Sequence, residues 1–221
     1  MAKARVYFTR EITPQAMDRL YDALGIRLSG KTAVKISTGE PGGHNFLQPA
    51  LIGPLTERLH GTIVECNTAY EGRRNTTQEH WKAIQEHGFL DIAPCDIMDE
   101  TGELALPVTN GMHLKENFVG AHLRNYDSML VLSHFKGPVM GGFGGALKNI
   151  SIGIASAHGK AHIHGVGVPE ELWTADHNSF LECMADAAKS VVEYLGRRNM
   201  AFINVANRLS VDCDCDAHPH E

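Results

Sequence analysis

Short apolar runs recur along the chain and predict the strands of a buried sheet. Residues 33–37, 62–66, 128–132 and 201–205 are runs of four or five mostly apolar, often β-branched positions. Runs of this length between turn-forming residues are typical of strands covered on both faces. We predict two further strands, at residues 5–9 and within residues 91–98.

Between these runs the apolar period changes to that of a helix. Thr13 and Pro14 are typical of a helix start, and apolar positions repeat at helical spacing after them. We predict further helices at residues 47–59, after Thr76 or Thr77, and at 179–198.

The alternation of strands and helices predicts an α/β fold. A mainly parallel sheet built from βαβ units, with helices on both faces, follows from this order. Residues 100–119 are less regular and predict a small hairpin insertion or an edge strand. We expect one α/β domain over residues 1–221, with a polar tail at 212–221.

Polar loops follow three of the predicted strands. In parallel α/β sheets, ligands bind beyond the carboxyl ends of the strands. The loops at residues 39–44, 67–75 and 134–149 would therefore converge on one crevice. Within the second loop, a carboxylate or phosphate is the expected ligand of Arg73, Arg74 and Asn75, because guanidinium groups bind such anions bidentately. A solvated loop is the equally weighted alternative.

The most unusual stretch is a glycine-rich loop after the strand at residues 128–132. Four glycines lie within five residues, at Gly141, Gly142, Gly144 and Gly145. The loop is a poor dinucleotide fingerprint, since Leu147 replaces the third glycine, and it lacks the lysine–hydroxyl ending of a P-loop. It predicts either a backbone cradle for an anionic ligand or cofactor, or a tight strand–helix junction without a ligand.

Basic side chains surround this glycine-rich loop and are candidates for catalysis. His134 is the predicted proton acceptor, because imidazole titrates near neutral pH. Lys136 and Lys148 are predicted to stabilise negative charge on a small anionic substrate.

Two groups of soft or nitrogen ligands predict a metal. Cys213 and Cys215 would lie on one side of an extended chain, ready to share a metal or an iron–sulfur cluster. In an extended segment, His162 and His164 would also share a side, whereas in a helix His158 and His162 would align. The spacing leaves both geometries open.

Composition narrows the partners. The net charge of −6 argues against a nucleic-acid partner, and no apolar run is long enough to cross a membrane. The amino terminus lacks the apolar core of a signal peptide, so the expected location is the cytoplasm. A homodimer is expected only from the frequency of such assemblies.

Several motifs resemble the uncharacterised iron–sulfur-centre proteins grouped as domain of unknown function 362. The likeness rests on residues 34–40, 67–75, 133–137, 141–149, 155–160 and 212–215. It implies an α/β fold and a link to iron–sulfur or redox chemistry. Many relatives carry a ferredoxin-like insert, whereas residues 165–180 hold no cysteine here, so a cluster would depend on Cys213 and Cys215. Relatives also continue further, which suggests a chain truncated at its carboxyl end.

Three functions follow from these observations. The first is a metal- or iron–sulfur-associated protein, with redox chemistry as a candidate role, in which the glycine-rich loop holds an anionic ligand or cofactor. The second is a metal-independent enzyme acting on a small anionic substrate. The third is a non-catalytic module that delivers a metal or cofactor. The sequence names neither a substrate nor a reaction.

Overall fold

The structure is a computed structural model that describes residues 5–137 and 140–209. Its strands within these residues are β1 (Thr32–Lys35), β2 (Thr62–Glu65), β3 (Cys95–Ile97), β4 (Glu103–Pro107), β5 (Glu116–Gly120), β6 (Ser128–His134) and β7 (Met200–Val205). Its α-helices there are α1 (Pro14–Leu24), α2 (Pro49–Arg58), α3 (Thr77–Glu86), α4 (Ala146–Ser151), α5 (Ala157–His164) and α6 (His177–Leu195).

A five-stranded sheet forms the centre of the fold. Its strand order is β3–β2–β1–β6–β7, and every neighbouring pair is parallel. The chain adds β2 and β3 on one side of β1, and then returns to place β6 and β7 on the other side. The direction of winding therefore reverses between β1 and β6, where Val34 pairs with Leu130. Such a reversal point opens a crevice at the carboxyl ends of the strands.

Helices cover both faces of the sheet, as the sequence predicts. Val34 of β1 belongs to a buried cluster that includes residues of α1, α2 and α3. Its neighbour Ala33 belongs to a second cluster, with residues of α4, α6 and the hairpin strands. Successive side chains of a strand point to opposite faces, so burial on both sides explains the continuous apolar runs.

Side-chain caps fix the starts of three helices. The Thr13 hydroxyl accepts a hydrogen bond from the Ala16 N–H of α1 at 3.2 Å, and Thr76 accepts one from Glu79 of α3. Asp176 caps α6 by accepting from Ser179 at 2.9 Å. Capping by Asp176 explains why α6 begins at His177, two residues before the predicted start.

The hairpin insertion is confirmed, and two predicted strands are corrected. Strands β4 and β5 pair antiparallel within the predicted region. Residues 5–9 are not a strand: Val6 and Phe8 are 87% and 82% exposed, and no strand of the described chain pairs with them. The predicted strand at 91–98 is reduced to β3, because the residues before it form a 3-10 turn at Phe89–Asp91.

Three further predictions concern the polar tail, membrane-spanning helices and the number of domains. The polar tail at 212–221 lies outside the described residues. Among the helices that are described, none has the length and apolar character needed to cross a membrane. The single domain over 1–221 stays a prediction.

Candidate functional site

A cavity of about 470 Å³ opens at the reversal point of the sheet. Its floor is formed by residues at or just after the ends of β1, β2 and β6, such as Ser37, Cys66 and His134. Side chains of α4, α5 and α6 close it from above, including Lys148, His164 and Phe180. Of the three predicted loops, those after β2 and β6 line the cavity, whereas residues 39–44 do not.

A chain of buried ion pairs runs along one wall. The Lys35 Nζ atom lies 2.8 Å from Glu65 Oε2, and both side chains are almost fully buried. Arg74 pairs with Glu40, and its Nη1 lies 3.6 Å from Glu65 Oε1. Glu65 also accepts a hydrogen bond from the Thr38 N–H at 2.9 Å. The carboxylates thus hold Lys35 and Arg74 in fixed positions.

Glu65 and Arg74 both remain charged at neutral pH. Burial alone would raise the pKa of Glu65, but the positive charges of Lys35 and Arg74 lower it to about 2. Burial alone would lower the pKa of Arg74, and the nearby charge of Glu40 raises it instead. Glu65 is therefore an ionised carboxylate between two basic side chains.

Basic side chains outnumber carboxylates along the part of the cavity lining that the structure describes. The lining includes the basic side chains Lys35, Arg74, Lys148 and Lys160, against one lining carboxylate, Glu65, among the described residues. Glu40, behind Arg74, adds a second carboxylate, which still leaves the cations in excess. A concave, largely apolar site of one sign concentrates ligands of the opposite sign.

Two buried nitrogen atoms of lining residues lack a hydrogen-bond partner within the described chain. They are Arg74 Nε and His164 Nδ1. The His164 ring stacks on Phe180 with centroids 4.4 Å apart. Burial lowers the pKa of His164 to about 4, so its imidazole is neutral at pH 7. Unpartnered buried nitrogens are costly, and a ligand in the cavity is one way to satisfy them.

The predicted catalytic residues divide between the cavity and its surroundings. His134 and Lys148 line the cavity. His134 Nδ1 also lies 3.1 Å from the Asn45 carbonyl, and Nε2 contacts the carbonyl of Asn207. Lys136 is buried outside the lining, and its backbone forms a bridge with Gly144.

The glycine-rich loop forms a wall of the cavity, but some of the backbone N–H groups expected to bind an anion already donate hydrogen bonds within the protein. Gly141, Gly144 and Gly145 line the cavity, and Gly142 is exposed with φ +60°. The Gly144 N–H donates to Lys136 O at 2.8 Å, and the Ala146 N–H donates to Asn204 Oδ1 at 2.9 Å. These donors are thus already used within the protein.

Of the predicted anion-binding trio, the structure directs one residue inward. Arg73, Arg74 and Asn75 form a 3-10 turn, in which Arg74 is buried at the cavity. Arg73 is exposed and pairs with Glu86 at 2.7 Å, and Asn75 is also exposed. The turn explains the split, because consecutive residues in it point in different directions.

The predicted histidine trio is divided by helical geometry. α5 aligns His158 with His162, whose ring centroids lie 6.2 Å apart beside Phe118. His164 lines the cavity instead. Across the residues that the structure describes, no group of three or more His, Cys, Asp or Glu side chains could hold a metal ion. Cys213 and Cys215 lie outside those residues.

Among the lining residues that the sequence analysis did not select are two lysines, a glutamate and a cysteine. Lys35, Glu65 and Cys66 were absorbed into predicted buried strands, and Lys160 into the histidine stretch. A signal was present: Lys35 and Glu65 are charged residues in otherwise apolar runs, near the carboxyl end of each strand. Charged residues are rarely buried unless paired, so opposite charges in neighbouring strands indicated a buried pair.

The family is shown by a sequence-family model. The model described as "Domain of unknown function (DUF362)" matches residues 32–221, and the chain belongs to this family. A comparison with curated proteins gives no match.

Solved structures share the fold. One is the lactate racemase apoprotein from Thermoanaerobacterium thermosaccharolyticum, with a TM-score of 0.53 and 16% sequence identity. The match covers 89% of this chain and 49% of that chain, so this chain spans about half the length of that protein. At this identity the likeness confirms an α/β fold and carries no function with it.

Proposed function

We propose that the cavity binds a small organic anion and that the protein acts on it as an enzyme. The observation that carries this proposal is the excess of cationic side chains, Lys35, Arg74 and Lys148 against Glu65, in the described lining of one enclosed space. Desolvated cations bind carboxylates or phosphates more strongly than exposed ones, because water screens them less.

The cationic, imidazole and apolar side chains of the cavity have different roles in this proposal. Glu65 and Glu40 position Lys35 and Arg74, so these two cations bind the anion without reorganising. His164 presents a neutral imidazole at the same space, which accepts or donates a hydrogen bond. Apolar lining residues such as Ile152 and Phe180 exclude water from the bound anion.

A solved structure of similar fold supports the size and charge of this ligand class. That protein is a lactate racemase, whose substrate is a small carboxylate. This similarity agrees with a small carboxylate as the ligand, but the proposal is based on the charged cavity.

Thermal unfolding in a panel of ligands tests the proposal. Oxalate, lactate and inorganic phosphate should raise the Tm of the protein, whereas oxamide, an uncharged relative of oxalate, should not. A ligand at about 100 times its Kd stabilises the folded state by about 2.7 kcal/mol. If anions and uncharged analogues shift the Tm equally, or none shifts it, the proposal is wrong.

A metal or iron–sulfur centre is a second proposal, supported by the Cys213 and Cys215 pair within the matched family region. Two thiolates are an incomplete ligand set for an iron–sulfur cluster. The described residues contain no group of three or more His, Cys, Asp or Glu side chains that could hold a metal ion by themselves. Elemental analysis and the visible spectrum of anaerobically purified protein test it, with Cys213→Ser and Cys215→Ser as controls. Metal retained equally in both variants would contradict a role for the pair. The same assay tests the delivery role, which requires transfer of that metal to an acceptor.

A further inference from the structure

Lys160 differs from the other buried lysine of the cavity. Lys35 is ion-paired with Glu65, which fixes the position of its side-chain nitrogen. Lys160 is only 7% exposed, and its Nζ donates to the backbone carbonyl of Ala155 at 2.6 Å. No carboxylate among the described residues lies within ion-pair distance of it.

Lys160 lies near the residues that line the cavity at the carboxyl end of β2. Its helix, α5, starts at Ala157 and is capped by Ser156, which accepts from the Gly159 N–H at 2.9 Å. Cys66 donates its thiol hydrogen to the carbonyl of Ile154, one residue before the carbonyl that Lys160 contacts. The amine and the thiol are therefore neighbours along one cavity wall.

Their environment separates the two groups chemically. Burial raises the pKa of Cys66 to about 12, so the thiol is protonated and a poor nucleophile. Burial lowers the pKa of Lys160, although Cys66, Asp99 and Glu65 oppose the shift. A larger fraction of Lys160 is thus the neutral amine, the form that attacks carbonyl groups.

We propose that Lys160 forms an imine with a small 2-oxo acid whose carboxylate is bound by Lys35 and Lys148. This inference rests on the proposed function, because it assigns the substrate class of the same cavity. The 2-oxo acids carry a carbonyl next to a carboxylate, and the cavity offers a weakly paired amine together with fixed cations.

The step balances without an added oxidant or reductant. The lone pair of the neutral Lys160 Nζ attacks the carbonyl carbon and forms a carbon–nitrogen bond. Both amine hydrogens leave with the carbonyl oxygen as water, and a carbon–nitrogen double bond remains. Protonation of the imine nitrogen then makes it an electron acceptor, which acidifies the neighbouring carbon–hydrogen bonds.

Reductive trapping tests this proposal on the full chain. The protein is incubated with glyoxylate, pyruvate or 2-oxobutyrate and treated with sodium borohydride, which delivers hydride to the imine carbon. Intact mass should increase by the mass of one 2-oxo acid less one oxygen atom, because water leaves and two hydrogens are added, and peptide mapping should place the adduct on Lys160. Lactate, which has no carbonyl group, is the matched control and should give no adduct.

Two variants separate the amine from the charge. Lys160→Arg keeps a cation and Lys160→Met removes it, and both should lose the adduct completely. Calorimetric binding of oxalate, together with the Tm, reports whether each variant is folded and whether the anion site remains. If a variant does not fold, the mapped position in the unmodified chain still decides the question.

The outcomes distinguish this inference from the function beneath it. An adduct on another lysine, or none with any of the three 2-oxo acids while oxalate still binds, would overturn the imine and leave the anion site standing. If neither oxalate nor any 2-oxo acid binds, the proposed function fails and the imine with it.

Discussion

Two sites in this protein bury charge, and they do so in opposite ways. At the cavity, Lys35, Glu65 and Arg74 form ion pairs around an open space. Between α6 and the loop before β5, Asp186 is also buried, at 6% exposure. Its carboxylate accepts hydrogen bonds from the backbone N–H groups of residues 112, 113 and 114, at 3.1, 2.9 and 3.1 Å.

The two sites differ in whether hydrogen-bonding groups and charges remain without a partner. Three backbone donors satisfy Asp186, and its side chain does not line the cavity at the sheet reversal. At the cavity, cations exceed carboxylates, and Arg74 Nε has no partner within the described residues. A complete set of partners indicates a structural role, whereas an excess of one charge facing a cavity indicates a ligand.

Glu65→Gln should have the largest effect on stability. It leaves Lys35 and Arg74 buried without their shared carboxylate, and breaking a buried pair costs about 3–5 kcal/mol. Chemical denaturation measures this loss. Oxalate should stabilise this variant more than the unmodified protein, because the cavity is then more positive. An equal or smaller stabilisation by oxalate would contradict the electrostatic account of the cavity.

Asp186→Asn should cost less, about 2 kcal/mol. The amide oxygen still accepts one or two of the backbone hydrogen bonds, but the stronger bonds to an ionised acceptor are lost. The same denaturation experiment measures this cost. Oxalate should stabilise this variant and the unmodified protein equally, because Asp186 is not part of the cavity. A loss of oxalate binding here would mean that the two sites are coupled.

The stability contributed by Asp186 should fall in acid. Burial alone would raise the pKa of Asp186, but the three backbone N–H groups lower it below its unfolded value of about 3.9. A carboxylate whose pKa is lower in the folded state contributes its full stabilisation at pH values above its unfolded pKa. This contribution is lost as the pH falls through the folded pKa. The stability difference between the protein and Asp186→Asn should therefore shrink below about pH 4. A constant difference across that range in denaturation experiments would contradict the assignment.

Lys148→Met should weaken anion binding. Loss of one charge-assisted hydrogen bond, about 1.5–3 kcal/mol, corresponds to an increase in the Kd for oxalate of about tenfold or more. Lys82→Met is the matched control, since Lys82 is an exposed lysine of α3 that pairs with Glu79. Calorimetry should find the Kd of the control unchanged. Equal weakening in both variants would indicate a general effect of net charge.

His158→Ala should have the smallest effect. His158 is half exposed on α5, and its contact with Glu103 lies at 3.2 Å. Exposed pairs contribute about 0–1 kcal/mol, so stability and oxalate affinity should both stay nearly unchanged. Loss of oxalate binding in His158→Ala would show that the histidine on the outer side of α5 takes part in the site after all.

Periodicity predicted the sheet and most helices, because burial on both faces makes apolar runs continuous. It failed at residues 5–9, where alternation alone does not supply a pairing strand. For the site, the glycine-rich loop and Arg74 line the same cavity, but the ion-paired Lys35 and Glu65 come from strands. Lys35 and Glu65 lie 30 residues apart, and only the parallel pairing of β1 with β2 brings them together. No local pattern specifies that pairing.

The central claim is that the cavity at the β1–β6 reversal binds a small organic anion. A crystal structure of the protein soaked with oxalate tests it most directly. We predict oxalate density in the cavity, with carboxylate oxygens within hydrogen-bond distance of Lys35, Arg74 or Lys148. A cavity without oxalate, at a concentration that gives density elsewhere on the surface, would contradict the claim.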